Sequence, residues 1–254
     1  MRAGFLSRLL FPPRCAACRA LLSPDEADAL LCSECQARWS RELLLQCPDC
    51  FCEYYTCRCT PPVLKRAGCK GLIKLFPYTA DERTRVSRNV ILGMKKHPRA
   101  AGFTLCAEEL AASLRALLGE EGLEQPLLVY LPRARRSVAR YGFDQVQQLS
   151  RELSLLTGIE CVAVLKRCRD GKKQKDLTLK ARIENTKHAF VLSGDVMGRN
   201  VILVDDVVTT GASTAAATKL LRTGKAATVH VLSIAYTEKE QKNKKTFFGQ
   251  GIAF

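Results

Sequence analysis

Uninterrupted apolar runs mark the second half of the chain. Val201, Ile202, Leu203 and Val204 follow one another without a polar residue, the pattern of a strand buried on both faces in a parallel sheet. "LLVYLP" ending at Pro132, "CVAVLKR" from Cys161 and "AATVHVLSIAY" ending at Tyr236 predict three more strands. Between them the apolar spacing becomes helical. Residues 83–97 and 104–118 predict two helices, the second with Leu105, Leu110, Leu114, Leu117 and Leu118 on one face. Val146, Leu149, Leu153 and Leu156 stripe a third, closed by Gly158, and Ala215 to Arg222 predict a fourth, stopped by Gly224. Strands alternating with helices predict an α/β fold with a doubly wound parallel sheet and its ligand at the carboxyl ends of the strands.

The strand at 201–204 runs into Asp205 and Asp206, then into Thr209, Thr210, Gly211, Ala212, Ser213 and Thr214 before the fourth helix begins. A tight loop entering a helix N-terminus attracts an anion through free N–H groups and the helix dipole. Hydroxyls add donors, and Gly211 lets the backbone come close. The acid pair would repel a phosphate, so it accepts from hydroxyls or holds a divalent cation. Phosphate, diol and metal together describe a phosphorylated sugar. A nucleotide-hydrolysing site is excluded by the lack of G-x-x-x-x-G-K-[ST].

The amino-terminal segment has a different chemistry. Cys15-x-x-Cys18, Cys32-x-x-Cys35, Cys47-x-x-Cys50 and Cys57-x-Cys59 offer thiolate pairs at ligand spacing, with Cys52 between the last two. Eight such ligands predict two structural Zn²⁺ sites, paired sequentially as 15/18/32/35 and 47/50/57/59, with Cys52 an alternative ligand in the second. So short a segment with a single Trp cannot bury enough apolar surface alone, so metal supplies folding energy. Cys69, Cys106, Cys161 and Cys168 have no partner in sequence and read as small buried hydrophobes; Cys168, among Lys166, Arg167 and Arg169, could also be a reactive thiolate.

Composition narrows the setting. At 254 residues with 47% hydrophobic content the chain has room for one sizeable core and a small satellite. No apolar run reaches the ~20 residues of a membrane span. The stretch ending at Arg14 is too short and too charged for a secretory signal, and reads as an amphipathic helix stopped by Pro12 and Pro13. A reducing cytoplasmic location follows. The formal net charge is +15, and more than half of it falls between residues 131 and 200. That excess reads as an anion-handling surface, or as a solvated basic face. Residues 168–190 form a basic polar loop whose length and Gly171 predict mobility.

Residues 201–214 resemble the signature of type I phosphoribosyltransferases, the site for 5-phosphoribosyl 1-pyrophosphate (PRPP). The resemblance implies that Asp205 and Asp206 face the ribose hydroxyls, directly or through Mg²⁺, while Thr209, Thr210, Gly211, Ala212 and Ser213 wrap the 5′-phosphate. From about residue 9 to 236 the chain resembles the ComF family of competence and DNA-uptake proteins. "LLFPPRC", the double zinc ribbon, "MKKH", "LPRARRSVARYGFDQ" and then Gln174, Leu177, Arg182, Asn185 and Phe190 carry it. Tyr141 and Asp144 depart from it, standing where that family shows Arg and Asn. Lys95, Arg133, Arg140 and Gln145 remain as candidates for the pyrophosphate.

Two domains are expected, a double zinc ribbon over 1–62 and a phosphoribosyltransferase-like domain over 63–254. The resemblance implies a cytoplasmic protein that binds PRPP and Mg²⁺ and engages single-stranded DNA in natural competence, with other DNA-uptake proteins as partners. A transferase with an unknown acceptor and a PRPP-sensing regulator are the alternatives. A catalytic base is not nominated by His97, His188 or His230. Thr209 stands where 6-oxopurine enzymes carry an acid, which argues against hypoxanthine or guanine as acceptor. Aromatic and arginine clusters at Tyr54, Tyr55 and Arg58 and at Arg140, Tyr141 and Phe143 are candidate platforms for bases.

Overall fold

The computed structural model describes residues 12–97, 100–168 and 189–238. The amphipathic helix expected before Pro12, His188 and most of the basic loop, with Gly171, Gln174, Leu177, Arg182 and Asn185, lie outside them. Among the described residues, seven strands are numbered in chain order: β1 (Leu72–Pro77), β2 (Leu127–Tyr130), β3 (Cys161–Val162), β4 (Leu165–Arg167), β5 (Phe190–Leu192), β6 (Asn200–Val208) and β7 (Thr228–Tyr236). Five of them form one sheet in the order β1-β7-β6-β2-β3, parallel at every pairing. Residues 201–204 have no solvent exposure, as an unbroken apolar run requires when both faces are covered. Val204 and Ile202 face one apolar core, Leu203 and Val201 the other.

Helices cover both faces. On the first lie α1 (Ser33–Leu43), α3 (Arg85–Met94), α4 (Gly102–Glu121) and α6 (Gln145–Thr157); on the second lie α2 (Pro62–Arg66) and α7 (Ala212–Thr223). A short helix, α5 (Arg135–Tyr141), stands beyond the end of β2. Among the described residues, no helix is long and apolar enough to cross a membrane.

Two departures from the apolar pattern have physical causes. "CVAVLKR" is not one strand: Cys161 and Val162 pair with β2, and after Ala163 and Val164 the chain leaves the sheet to build an antiparallel hairpin of β4 with β5. β1 was not predicted, because Lys74 interrupts its apolar run. Lys74 is nevertheless only 2% exposed. Its ammonium donates to Cys57 Sγ at 3.1 Å and to the Cys59 carbonyl at 3.2 Å, and lies 5.7 Å from the Tyr54 ring centroid.

The cysteine-rich segment packs directly on the sheet. Trp39 of α1 is fully buried, edge-on to Phe76 of β1 at 4.8 Å between centroids, and its Nε1 donates to Glu109 of α4 at 3.1 Å. Cys15 and Cys35 belong to the same apolar core as the first face of the sheet.

Candidate ligand-binding and metal sites

β6 carries both acids of the signature inside the strand, which continues to Val208 rather than ending at Val204. The two carboxyls differ. Asp205 is buried: Oδ2 accepts from the Thr214 hydroxyl at 3.0 Å and Oδ1 from the N–H of Asp206 at 2.9 Å. Burial pushes its carboxyl well above the usual range, and the neighbouring Asp206 adds to the shift. Asp206 is partly exposed. The loop beyond turns at Gly211, whose φ of +73° starts α7 as its N-cap, and Thr210 Oγ1 accepts from Ala212 N–H at 3.4 Å. Residues 209–214 line one wall of a cleft of about 260 Å³, into which both acids open.

Leu131 to Ala134 and Ser137 make the facing wall. Its backbone is held by Asp144, whose carboxylate caps α6 through Val146 N–H and Gln147 N–H and also accepts Arg133 N–H at 2.9 Å. The departure to an acid at this position is thus a helix cap with a second use. Gln145 is buried and bridges, accepting from the Arg133 guanidinium and donating to Asp206. Lys95 stands 3.9 Å from Asp206 Oδ2. Of the four pyrophosphate candidates, only Arg133 lines the cleft; Gln145 and Lys95 meet Asp206 instead, and Arg140 is exposed on α5 with its guanidinium 5.6 Å from the Tyr141 ring.

Sequence reasoning missed Arg167 as a site residue. It lines the cleft from β4, with its guanidinium 5.3 Å from the Phe190 ring. A cation closing a strand just before the basic loop was the available signal. Among the candidate base platforms, Tyr54 is 1% exposed, Tyr55 packs on the first core and Phe143 lies edge-on to Phe103 at 6.3 Å, while Arg140 and Tyr141 stay accessible on α5.

The cysteines gather as the sequential pairing anticipates. Cys15, Cys18, Cys32 and Cys35 form one cluster and Cys47, Cys50, Cys57 and Cys59 another, with sulfurs within 4.8 Å of one another in each. Cys52 is exposed and takes no part. Burial opposes ionisation of the Cys57 thiol, yet Cys59 N–H and the Lys74 ammonium bring it down to about 7. Cys15 also falls to about 7: backbone N–H groups of Cys18, Cys32 and Ala17 outweigh its burial. Four soft donors, some already inclined to be thiolates, fit a tetrahedral Zn²⁺.

The chain has a phosphoribosyl transferase domain: residues 137–251, which carry the acid pair and the hydroxyl-rich helix start at the sheet's carboxyl edge, match the family model described as Phosphoribosyl transferase domain. The chain is 30% identical over 241 residues to the DNA utilization protein YhgH of Salmonella typhimurium, covering 90% of this chain and 99% of that one. Competence protein F of Haemophilus influenzae is 38% identical over 87 residues, 33% of this chain and 38% of that protein. The chain therefore belongs to the YhgH/ComF family of phosphoribosyl transferase-domain proteins. Among solved structures, a Trypanosoma cruzi hypoxanthine phosphoribosyltransferase aligns at 14% identity and a TM-score of 0.36, over 57% of this chain and 72% of that one.

Proposed function

We propose that the chain binds PRPP with Mg²⁺ in the cleft at the end of β6 and engages single-stranded DNA beside it, in the cytoplasm. The observation that supports the ligand reading is the arrangement of the signature: Thr209 to Ser213, at the start of α7, line the cleft with hydroxyls and N–H groups suited to a 5′-phosphate, and the partly exposed Asp206 on the same cleft would accept from ribose hydroxyls. Asp205 acts through its bond to Thr214, tying the strand end to the first turn of α7. Mg²⁺ would supply charge neutralisation to the pyrophosphate, with Arg133 and Arg167 on the other walls. Zn²⁺ in the two cysteine clusters holds the amino-terminal segment. The DNA reading is supported by the names of the relatives and by exposed Arg135, Arg136 and Arg140 on α5, the helix whose Ser137 reaches the cleft.

Titration calorimetry with PRPP tests the ligand. Wild type should bind in the presence of Mg²⁺ and weaken on its removal, and Asp206→Asn should lose about tenfold or more in affinity, the scale of a charge-assisted hydrogen bond. Absence of PRPP binding by the folded wild type, with or without Mg²⁺, rejects the reading.

A further inference from the structure

Lys95 reaches the site from outside residues 137–251, at the carboxyl end of α3. Its ammonium and the Asp206 carboxylate are both largely withdrawn from water, with side-chain exposures of 24% and 14%. The other end of α3 is capped from elsewhere. Thr84, the residue before it, makes no side-chain cap bond. Val86 N–H and Ser87 N–H donate instead to the two carboxylate oxygens of Glu42, each at 2.8 Å. Glu42 is 5% exposed and lies in the last turn of α1. Cys32 is the N-cap of the same helix and Cys35 lies within it, two members of the first cysteine cluster. Two helices thus run in series from that cluster to the acid pair.

We infer that Glu42 is a positioning residue for the ligand site: by clamping the start of α3 it sets where Lys95, at the far end, meets Asp206. A ten-residue helix is a stiff rod roughly 15 Å long, so an offset at one end is delivered to the other. A carboxylate on two first-turn amides satisfies two of the four orphan donors and suits the helix dipole. A buried carboxylate is costly unless its oxygens are bonded, so the clamp is either made or broken. At the site, Lys95 offsets one negative charge where a polyanion arrives, and together with Gln145 it holds Oδ2. Glu42 itself touches nothing in the cleft.

The binding readout rests on the PRPP reading above, so the test has a ligand-free arm. PRPP affinity is measured for wild type, Glu42→Gln, Lys95→Met and the double variant. Lys95→Met should weaken PRPP about tenfold, the order expected from removing one nearby cation in a partly shielded site. Glu42→Gln should weaken it by a smaller factor, and the double variant should match Lys95→Met alone. Unchanged affinity in Glu42→Gln, or losses that multiply in the double variant, overturns the inference. Without ligand, Glu42→Gln should shift the Asp206 amide resonance in a nitrogen-15 spectrum and speed hydrogen exchange at Val86 and Ser87; an unmoved Asp206 resonance overturns it equally. A wild type that ignores PRPP rejects the ligand while that resonance still decides the positioning. If Glu42→Gln does not fold, Glu42→Asp, one methylene shorter, makes the same comparison.

Discussion

The side-chain amide of Gln145 donates to Oδ2 of Asp206, joining residues 61 positions apart. Because Gln145 also accepts from Arg133, one buried carboxamide ties the facing wall of the cleft to the acid that opens into it. Gln145→Glu replaces a donor with a like charge. PRPP affinity should fall by about tenfold or more, since carboxylates at hydrogen-bond distance repel strongly away from bulk water. Calorimetry on the folded variant checks this, and an affinity equal to wild type contradicts it.

Gly211 holds φ at +73°, and a Cβ there would stand 2.9 Å from Val63 Cγ1. Gly211→Ala should cost roughly 1–2 kcal/mol from the left-handed backbone alone. Moving the loop off α2 should also weaken PRPP. Urea unfolding measures the first effect and calorimetry the second.

Metal content distinguishes the cysteines. The two clusters predict two Zn²⁺ per chain. Cys50→Ser should remove one equivalent, whereas Cys52→Ser should remove none, because Cys52 lies outside both clusters. Elemental analysis after gel filtration reads the outcome. Strong chelation should lower the melting temperature as well.

Trp39→Ala removes a fully buried ring from between the cysteine segment and β1, and leaves Glu109 without its indole donor. A loss of about 3–5 kcal/mol is expected. Denaturant unfolding gives the value, and a loss below about 1 kcal/mol would mean that the two regions are far less interdependent than their packing implies.

Salt tests the DNA surface. Charge reversal of Arg135, Arg136 and Arg140 should flatten the log-log salt dependence of single-strand binding by about two units if all three meet phosphates, at about 0.7 each. PRPP affinity measured on the same variant separates a DNA face from a rim of the cleft. An unchanged slope assigns these arginines to solvent.

What was legible in the sequence was local. Val201 to Val204, the acid pair and the hydroxyl loop announced strand, turn and helix start within one short stretch, because each relies on its neighbours in sequence. The cysteine pairs were legible for the same reason. β1 was hidden because Lys74 looks solvated until Cys57, 17 residues earlier, is seen to accept from it. Arg167 was hidden because its place in the cleft depends on the chain leaving the sheet after β3. Lys95 and Gln145 were singled out as candidates for the pyrophosphate, whereas the partner they meet is Asp206 on β6, far along the chain. Polar contacts at that separation leave no periodicity to read.

The parallel pairing of β1 with β7 sets Leu72 beside Val231 and Phe76 beside Ala235. During translation, about 150 residues must leave the ribosome between the synthesis of one strand and the arrival of the other, at roughly 5–20 residues per second. For those seconds β1 has no neighbour in the sheet, and the apolar surface that Trp39 and Phe76 share is without its final support. The nascent chain therefore has a built-in interval of exposure, which chaperones would have to cover and which ends only when β7 docks.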